Sequence, residues 1–360
     1  MTKNRLSKRI ENIPSEIWLK INKIETLNGQ WISGAKLDPQ VLGRLKRSVL
    51  ITSTGASTRI EGAKLSDEDI EKMMRGLSVQ KFTDRDVQEV KGYYELLNNV
   101  FDSWKHIRFN ENAIKHFHKE LLKYVEKDKR HRGEYKKQEN QVRMVNEAGE
   151  SVGVLFDTTP AYLTPKKMQE LVEWTIDALE NKTYHPLLTI SNFLVEFLNI
   201  HPFLDGNGRI SRVLTNLLLL KNGYKYMPYV SHEKLVEDNK PEYYIALRRS
   251  QKTISAKGGS ASGGKKEDIT PWLNFFLDIF LEQSKRAVEL LSKENIEKLL
   301  SPKQLAVWKY LITVSEATPA EISEHAKVAR PTINQALDKL LRLKKIERIG
   351  LGRTTRYKKI

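Results

Sequence analysis

Two apolar helical patterns that almost meet end to end constrain this 360-residue chain more than any other feature. Leu187, Ile190, Leu194, Phe197 and Leu198 recur at helical spacing, and so do Ile210, Val213, Leu214, Leu217 and Leu218. The stretch His201–Arg212, HPFLDGNGRISR, bridges them. Two buried helices must therefore be joined by a short polar loop. The same periodicity recurs along most of the chain and predicts a mainly α fold.

That loop carries an unusual density of reactive groups. Gly206, Asn207 and Gly208 lie where the second helix starts, so free backbone N–H groups and the positive end of the helix dipole converge beside residues with little side chain, a cradle for an anion. Arg209 and Arg212 share a helix face and can grip successive phosphates. Asp205 supplies a hard oxygen for Mg²⁺, which takes one or two carboxylates and completes its shell with phosphate and water. His201 is the group in the loop that can accept a proton near neutral pH, which makes it a general-base candidate. Phe203 reads as an apolar anchor. A lone His-Pro is ordinarily a structural loop, and paired arginines are ordinarily a solvated face; their assembly in twelve residues favours a site.

Other chemistries lack their motifs. There is no GxxxxGK followed by Ser or Thr after a strand, as a Walker loop needs, and GNGRIS misses the third glycine of a dinucleotide fingerprint and follows a helix. HEKLVED has no second histidine at zincin spacing, and the HFH at His116–His118 sits in an amphipathic helix where packing is the simpler role. Zero cysteines exclude disulfides, thiolate metal sites and cysteine nucleophiles, and with no signal-like or membrane-spanning run they suggest a cytoplasmic protein without membrane contact. A net charge of +16 favours polyanionic partners, or a basic enzyme.

The chain divides on pattern into a helical lead-in, 1–84; a core, 85–255; a glycine/serine segment and connecting helix, 256–300; and a carboxy-terminal module, 301–360. Within the core, QVRMVNEAGESVGVLF alternates on both sides of a glycine-containing turn and predicts a β-hairpin. Its free edge could pair with an extended peptide, or it could simply pack on the bundle. The segment Ala256–Asp268, AKGGSASGGKKED, reads as a linker or a loop tip. The last sixty residues read helix, helix, helix, strand, strand, the order of a winged helix-turn-helix, and carry 13 Lys or Arg against 5 Asp or Glu.

HPFLDGNGRISR matches the signature HxFx(D/E)GNGRxxR of the Fic (filamentation induced by cAMP) family at every specified position, so the chain resembles that family over roughly residues 85 to 255. The resemblance implies a helical bundle with a hairpin flap, here Gln141–Phe156, and a protein adenylyltransferase that moves AMP from ATP to a Ser, Thr or Tyr hydroxyl, with Mg²⁺ as cofactor. It implies that His201 deprotonates the hydroxyl and Asp205 holds Mg²⁺. Gly206, Asn207 and Gly208 would form the anion nest with the Asn207 side chain on the α phosphate, while Arg209 and Arg212 take the β and γ phosphates. Glycine at 206, where kinase-like relatives have lysine, favours nucleotidyl transfer. STRIEG, Ser57–Gly62, resembles the family's inhibitory motif (S/T)xxxE(G/N), with Glu61 competing with ATP for Arg212; the alternative is a surface glutamate at a helix end. PEYYIALRRS places Tyr243, Tyr244 and Leu247 where similar proteins line the adenine pocket, although aromatic residues at this spacing also suit a core.

Two functions follow. One is an adenylyltransferase restrained by Glu61, acting on an unknown protein target and on itself, with AMP removal as a reverse activity. The other is a DNA-bound regulator with the core as nucleotide sensor, in which Arg330, Thr332 and Asn334 face the groove and Arg353, Arg356 and Lys358 contact phosphates. Such a module also suits homodimerisation.

Overall fold

The computed structural model describes residues 4–34, 39–76, 84–145, 151–254, 267–343, 345–350, 352 and 355–360. Of the expected glycine/serine segment, 256–266 lies outside the described residues, as do the hairpin turn and Arg353. The chain forms two units, Met1–Val288 and Glu289–Ile360. No helix among the described residues is long and apolar enough to cross a membrane.

The first unit is helical with one hairpin. Its amino-terminal helices are α1 (Arg5–Arg9), α2 (Ser15–Gly34), α3 (Pro39–Ile60) and α4 (Asp67–Met74), followed by α5 (Asp84–Ser103) and α6 (Glu111–Leu121). The α4 start is a capping box in which Ser66 accepts from the Asp69 N–H and Asp69 accepts from the Ser66 N–H. Strands β1 (Gln141–Val145) and β2 (Ser151–Asp157) pair antiparallel, Gln141 opposite Asp157 and Val145 opposite Ser151, with two register shifts. The hairpin therefore forms where alternation predicts it. Then come α7 (Thr164–Glu180), α8 (Pro186–Ile200), α9 (Asn207–Lys221), α10 (His232–Asp238), α11 (Lys240–Gln251) and α12 (Thr270–Leu299).

Helices α8 and α9 are the centre. Every residue from Leu187 to Ile200 is buried, as are Asn207 and Arg209–Leu220, so both helices are enclosed all round rather than along one stripe. Such enclosure requires that each buried polar group find a partner. Glu196 on α8 finds Arg9, at 2.7 Å, and Arg5, which bring α1 onto the core. Burial opposes the charge of Glu196, but the two guanidiniums hold its carboxyl below the usual range.

In the second unit, α13 (Pro302–Leu311), α14 (Pro319–Ala326) and α15 (Arg330–Arg342) precede an antiparallel hairpin of β3 (Ile346–Ile349) and β4 (Arg356–Lys359). Trp308, Leu311, Ile322, Ile333, Leu337 and Ile346 are among its core residues. Capping boxes at Ser301 and Thr318 start α13 and α14, and Lys327 takes a left-handed conformation, φ 51°, to turn into α15. This is the element order expected from the sequence. Arg330 and Asn334 on α15 are exposed and Thr332 is half-buried, whereas Arg356 and Lys358 on β4 pair with Glu316 and Glu347.

Candidate active site

The loop between α8 and α9 is built by three local devices. His201 caps α8 in a left-handed conformation, φ 52°, and the proline that follows disfavours continuing the right-handed helix through 201. That conformation costs a non-glycine residue on the order of 1 kcal/mol, so the surroundings must hold it. Gly206 starts α9 at φ 77°, a left-handed conformation that favours glycine, and a Cβ there would press on Leu121 Cδ2 at 2.9 Å. Asn207 ties the loop to itself: its Oδ1 accepts from the Phe203 N–H at 2.9 Å, and its Nδ2 donates to the Phe203 carbonyl at 2.8 Å. Both ends of the Asn207 amide are thus engaged with Phe203.

Underneath, His118 on α6 stacks on Phe203 with ring centroids 3.9 Å apart and planes 6° from parallel. Its Nδ1 accepts from the Gly133 N–H at 2.9 Å, so its Nε2 carries the proton and lies 3.1 Å from the Asp205 carbonyl. His118 packs as expected for HFH, but in doing so it props up the loop, a role that one buried position on a helix face does not announce.

Asp205 and Arg209 sit in a charge cluster that the sequence did not reveal. Arg209, 2% exposed, donates to Glu89 at 2.7 Å and to Asp205 at 3.1 Å, and Arg85 reaches Asp205 at 3.2 Å and Glu89 at 2.8 Å. Burial opposes ionisation of Asp205, yet Arg209, the Gly206 N–H and Arg85 together hold its carboxyl below the usual range. Oxygens of Glu89, Asp128 and Asp205 lie within 4.8 Å of one another. This hard-oxygen set suits Mg²⁺ in donor type, while the two arginines already balance much of its charge. Glu89 and Asp128 come from segments more than seventy residues before Asp205, so no local motif could flag them.

Arg212 faces α3. Its Nε donates to Ser57 Oγ at 2.7 Å, and its Nη2 to the Ser57 carbonyl at 2.9 Å and to Glu61 Oε1 at 2.7 Å. Glu61 reaches it because α3 ends one residue earlier and Gly62 turns the chain at φ 102°. A Cβ built on Gly208 would lie 2.2 Å from Glu61 Oε1, so the carboxylate rests against the bare backbone at the start of α9. An anion thus already stands where the anion nest was expected. The small buried residues Ser53–Thr58 let α3 come this close.

Tyr243 is 6% exposed, with its ring edge on Trp272 and Phe275, and belongs to the aromatic core with the buried Leu247; Tyr244 beside it is half-buried.

Burial drives three histidines down to about 4: His201, where Lys136 adds to the effect, His118 and His232. A histidine whose folded value is lowered stays neutral in the native state while the unfolded chain takes up a proton below about 6.5, so its stability contribution is complete above 6.5 and is lost as pH falls toward 4. For the enclosed His118 and His232 the loss is on the order of 3 kcal/mol each by linkage. The melting temperature should fall steeply between pH 6.5 and pH 4, and His232→Gln should flatten part of that slope; a melting temperature constant over the interval would contradict the assignment.

Residues 108–219 match the model of the Fic/DOC family. A probable protein adenylyltransferase of Aquifex aeolicus is 29% identical over 168 residues, 43% of this chain and 47% of that protein. The protein adenylyltransferase Fic of Drosophila melanogaster is 33% identical over 111 residues, 31% of this chain and 18% of that one. The chain thus spans less than half the length of these curated relatives. A crystal structure of a Fic family protein from Desulfovibrio desulfuricans G20 superposes with a TM-score of 0.62 at 23% identity, covering 97% of both chains. A Fic domain containing signaling protein from Bacteroides thetaiotaomicron gives 0.61, also at 23% identity, over 75% of this chain and 97% of its own. The fold is shared with both, and the residues that match the Fic/DOC family model, 108–219, carry the His201–Arg212 loop.

Proposed function

We propose that this chain is a protein adenylyltransferase that transfers AMP from ATP to a protein hydroxyl and is restrained by Glu61. The observation that carries this reading is the Glu61 carboxylate lying against Gly208 and Arg212, an acidic group held in the place a phosphate would take. In the family match, in the protein adenylyltransferase names of the relatives and in the absence of a lysine at 206, the reading finds further support.

In the transfer, the target hydroxyl oxygen bonds to the α phosphorus, the bond to the bridging oxygen of the β phosphate breaks, pyrophosphate leaves, and His201 takes the hydroxyl proton. His201 suits this task because its lowered value leaves the ring neutral at pH 7. The backbone N–H groups of Asn207 and Gly208 and the guanidiniums of Arg209 and Arg212 would stabilise the phosphates, and the half-buried Tyr244 would offer an aromatic face to the base. Mg²⁺, bound at Asp205, would offset phosphate charge. For Arg209 to engage a phosphate it must loosen its bonds to Glu89 and Asp205, so nucleotide entry rearranges that cluster.

The test is labelling with Mg²⁺ and ATP radioactive at the α or the γ phosphorus, using Glu61→Gly. Label from the α position alone is expected. Label from the γ position would make the protein a kinase, and bound ATP with no label from either would refute transfer and favour AMP removal.

A further inference from the structure

The hairpin and the catalytic loop meet through one buried lysine. Lys136, 3% exposed, lies between α6 and β1 and spends its three ammonium donors on three neutral oxygens. These are Asn140 Oδ1 at 2.7 Å, Thr158 Oγ at 2.8 Å and the Ile200 carbonyl at 3.1 Å. Asn140 immediately precedes β1 and Thr158 immediately follows β2, so the ammonium holds both roots of the hairpin. Ile200 immediately precedes His201.

The same joint is reinforced on every side. The Lys136 N–H donates to the Pro202 carbonyl at 2.8 Å, just after His201. Asn140 Nδ2 donates to the Phe203 carbonyl at 2.9 Å, the oxygen that also receives Asn207. Thr158 Oγ lies 2.6 Å from Asn140 Oδ1 and closes the ring of contacts. The left-handed backbone at His201 is thereby gripped from 200, 202 and 203 by groups that also anchor the hairpin, which accounts for how an unfavourable conformation is maintained there.

We propose that Lys136 is a positioning residue that sets His201 and the hairpin in one register, so that a target segment laid along the hairpin arrives with its hydroxyl at the base. This rests on the transfer reading given above. A buried ammonium whose hydrogen bonds go to neutral oxygens, with the Glu139 carboxylate compensating its charge only in part, costs desolvation and is retained here for three donors diverging from one point. Burial lowers Lys136 to about 8, with Glu139 opposing; His201, neutral over this range, is the other titratable group that faces it. The neutral amine offers two donors to three acceptors, so the joint loosens as pH rises through 8.

The experiment uses Glu61→Gly as parent, with Lys136→Met, Lys136→Arg and Thr158→Val added singly. It reads AMP self-labelling from α-labelled ATP, ATP affinity, and amide hydrogen exchange over 141–157 and 201–206. Lys136→Met is expected to lower labelling about 30-fold, because small misplacement of a reacting group has effects of that size, while ATP affinity stays within about threefold. Exchange should quicken in both segments. Arginine, charged at all relevant pH, should restore most of the labelling and abolish the alkaline fall near pH 8 that is expected of the parent. Thr158→Val, which removes that root's contacts to Lys136 and Asn140 with little change of shape, should reproduce the double quickening if Lys136→Met does not fold. Should labelling or the exchange of either segment be untouched in folded Lys136→Met, the coupling is wrong. Were the parent itself to transfer no AMP, the functional reading fails, and exchange alone decides whether Lys136 couples the two segments.

Discussion

Glu61→Gly should raise AMP transfer by about 10- to 100-fold at limiting ATP, the range of a coupling free energy between two ligands of one site. The physical basis is competition. Arg212 is buried and its guanidinium is raised further above its usual value by the facing Glu61 carboxylate, despite the opposing cost of desolvation. A γ phosphate and the Glu61 carboxylate ask for the same N–H groups, and the carboxylate also covers Gly208, so ATP must displace it before Arg212 can turn to phosphate. The carboxylate is 35% exposed, so its hold is screened and moderate rather than absolute, which suits an inhibitor that must yield. Glycine at 61 leaves Ser57 in place, whose Oγ and carbonyl still orient Arg212, so the arginine should keep its position and lose only its competitor. A second readout separates this from general loosening. Without ATP the variant should melt lower, because a buried guanidinium has lost its counter-charge; with Mg²⁺ and ATP it should gain more melting temperature than the unaltered chain. Equal ATP affinity in the two proteins would show that Glu61 does not occupy the nucleotide's place.

The sequence discloses those parts of the site that are local. His201, Asp205, the glycines and both arginines fall in one loop and the first turn of one helix, and the apolar periods on either side predict α8 and α9 because each is enclosed. Glu61 is legible for the same reason: Ser57 and Glu61 lie four apart, and Gly62 supplies the positive φ that ends α3 beside Arg212. What the loop rests on is not local. Arg85, Glu89 and Asp128 reach Asp205 and Arg209 from other segments, Lys136 and Thr158 reach the backbone around His201, and His118 stacks from α6. Each of these is a common residue in unremarkable sequence, and only the packing of distant elements gives it a role. The Asn207 side chain shows the converse: a residue inside the motif whose amide holds the loop together through Phe203. Tyr243 likewise looks the same in sequence whether it faces a base or a core, and burial places it in the core.

His201→Ala in the Glu61→Gly background should lower transfer about 1,000-fold while leaving ATP affinity nearly unchanged, the signature of a group needed for proton removal rather than for binding. The separation is expected from position. His201 ends α8 and its imidazole hydrogen-bonds the Leu198 backbone within that helix, whereas the phosphate-binding N–H groups and arginines belong to α9, and the loop between them is held through Phe203, Asn207 and His118. The pH profile gives the assignment its sharper form. Burial, aided by Lys136, lowers His201 to about 4, against the pull of Glu61 and Asp205 in the other direction. Since the neutral ring is the base, the rate should be at full value at pH 6 and fall only as pH approaches 4, well below the value of a solvated histidine. A Lys136→Met chain with residual transfer should show this acid limb moved upward, because one of the charges that disfavours the imidazolium is gone. If transfer instead declined through pH 6.5, the base would be a solvated group and His201 would not be it; if His201→Ala lost ATP affinity in proportion to rate, its contribution would be to the shape of the loop.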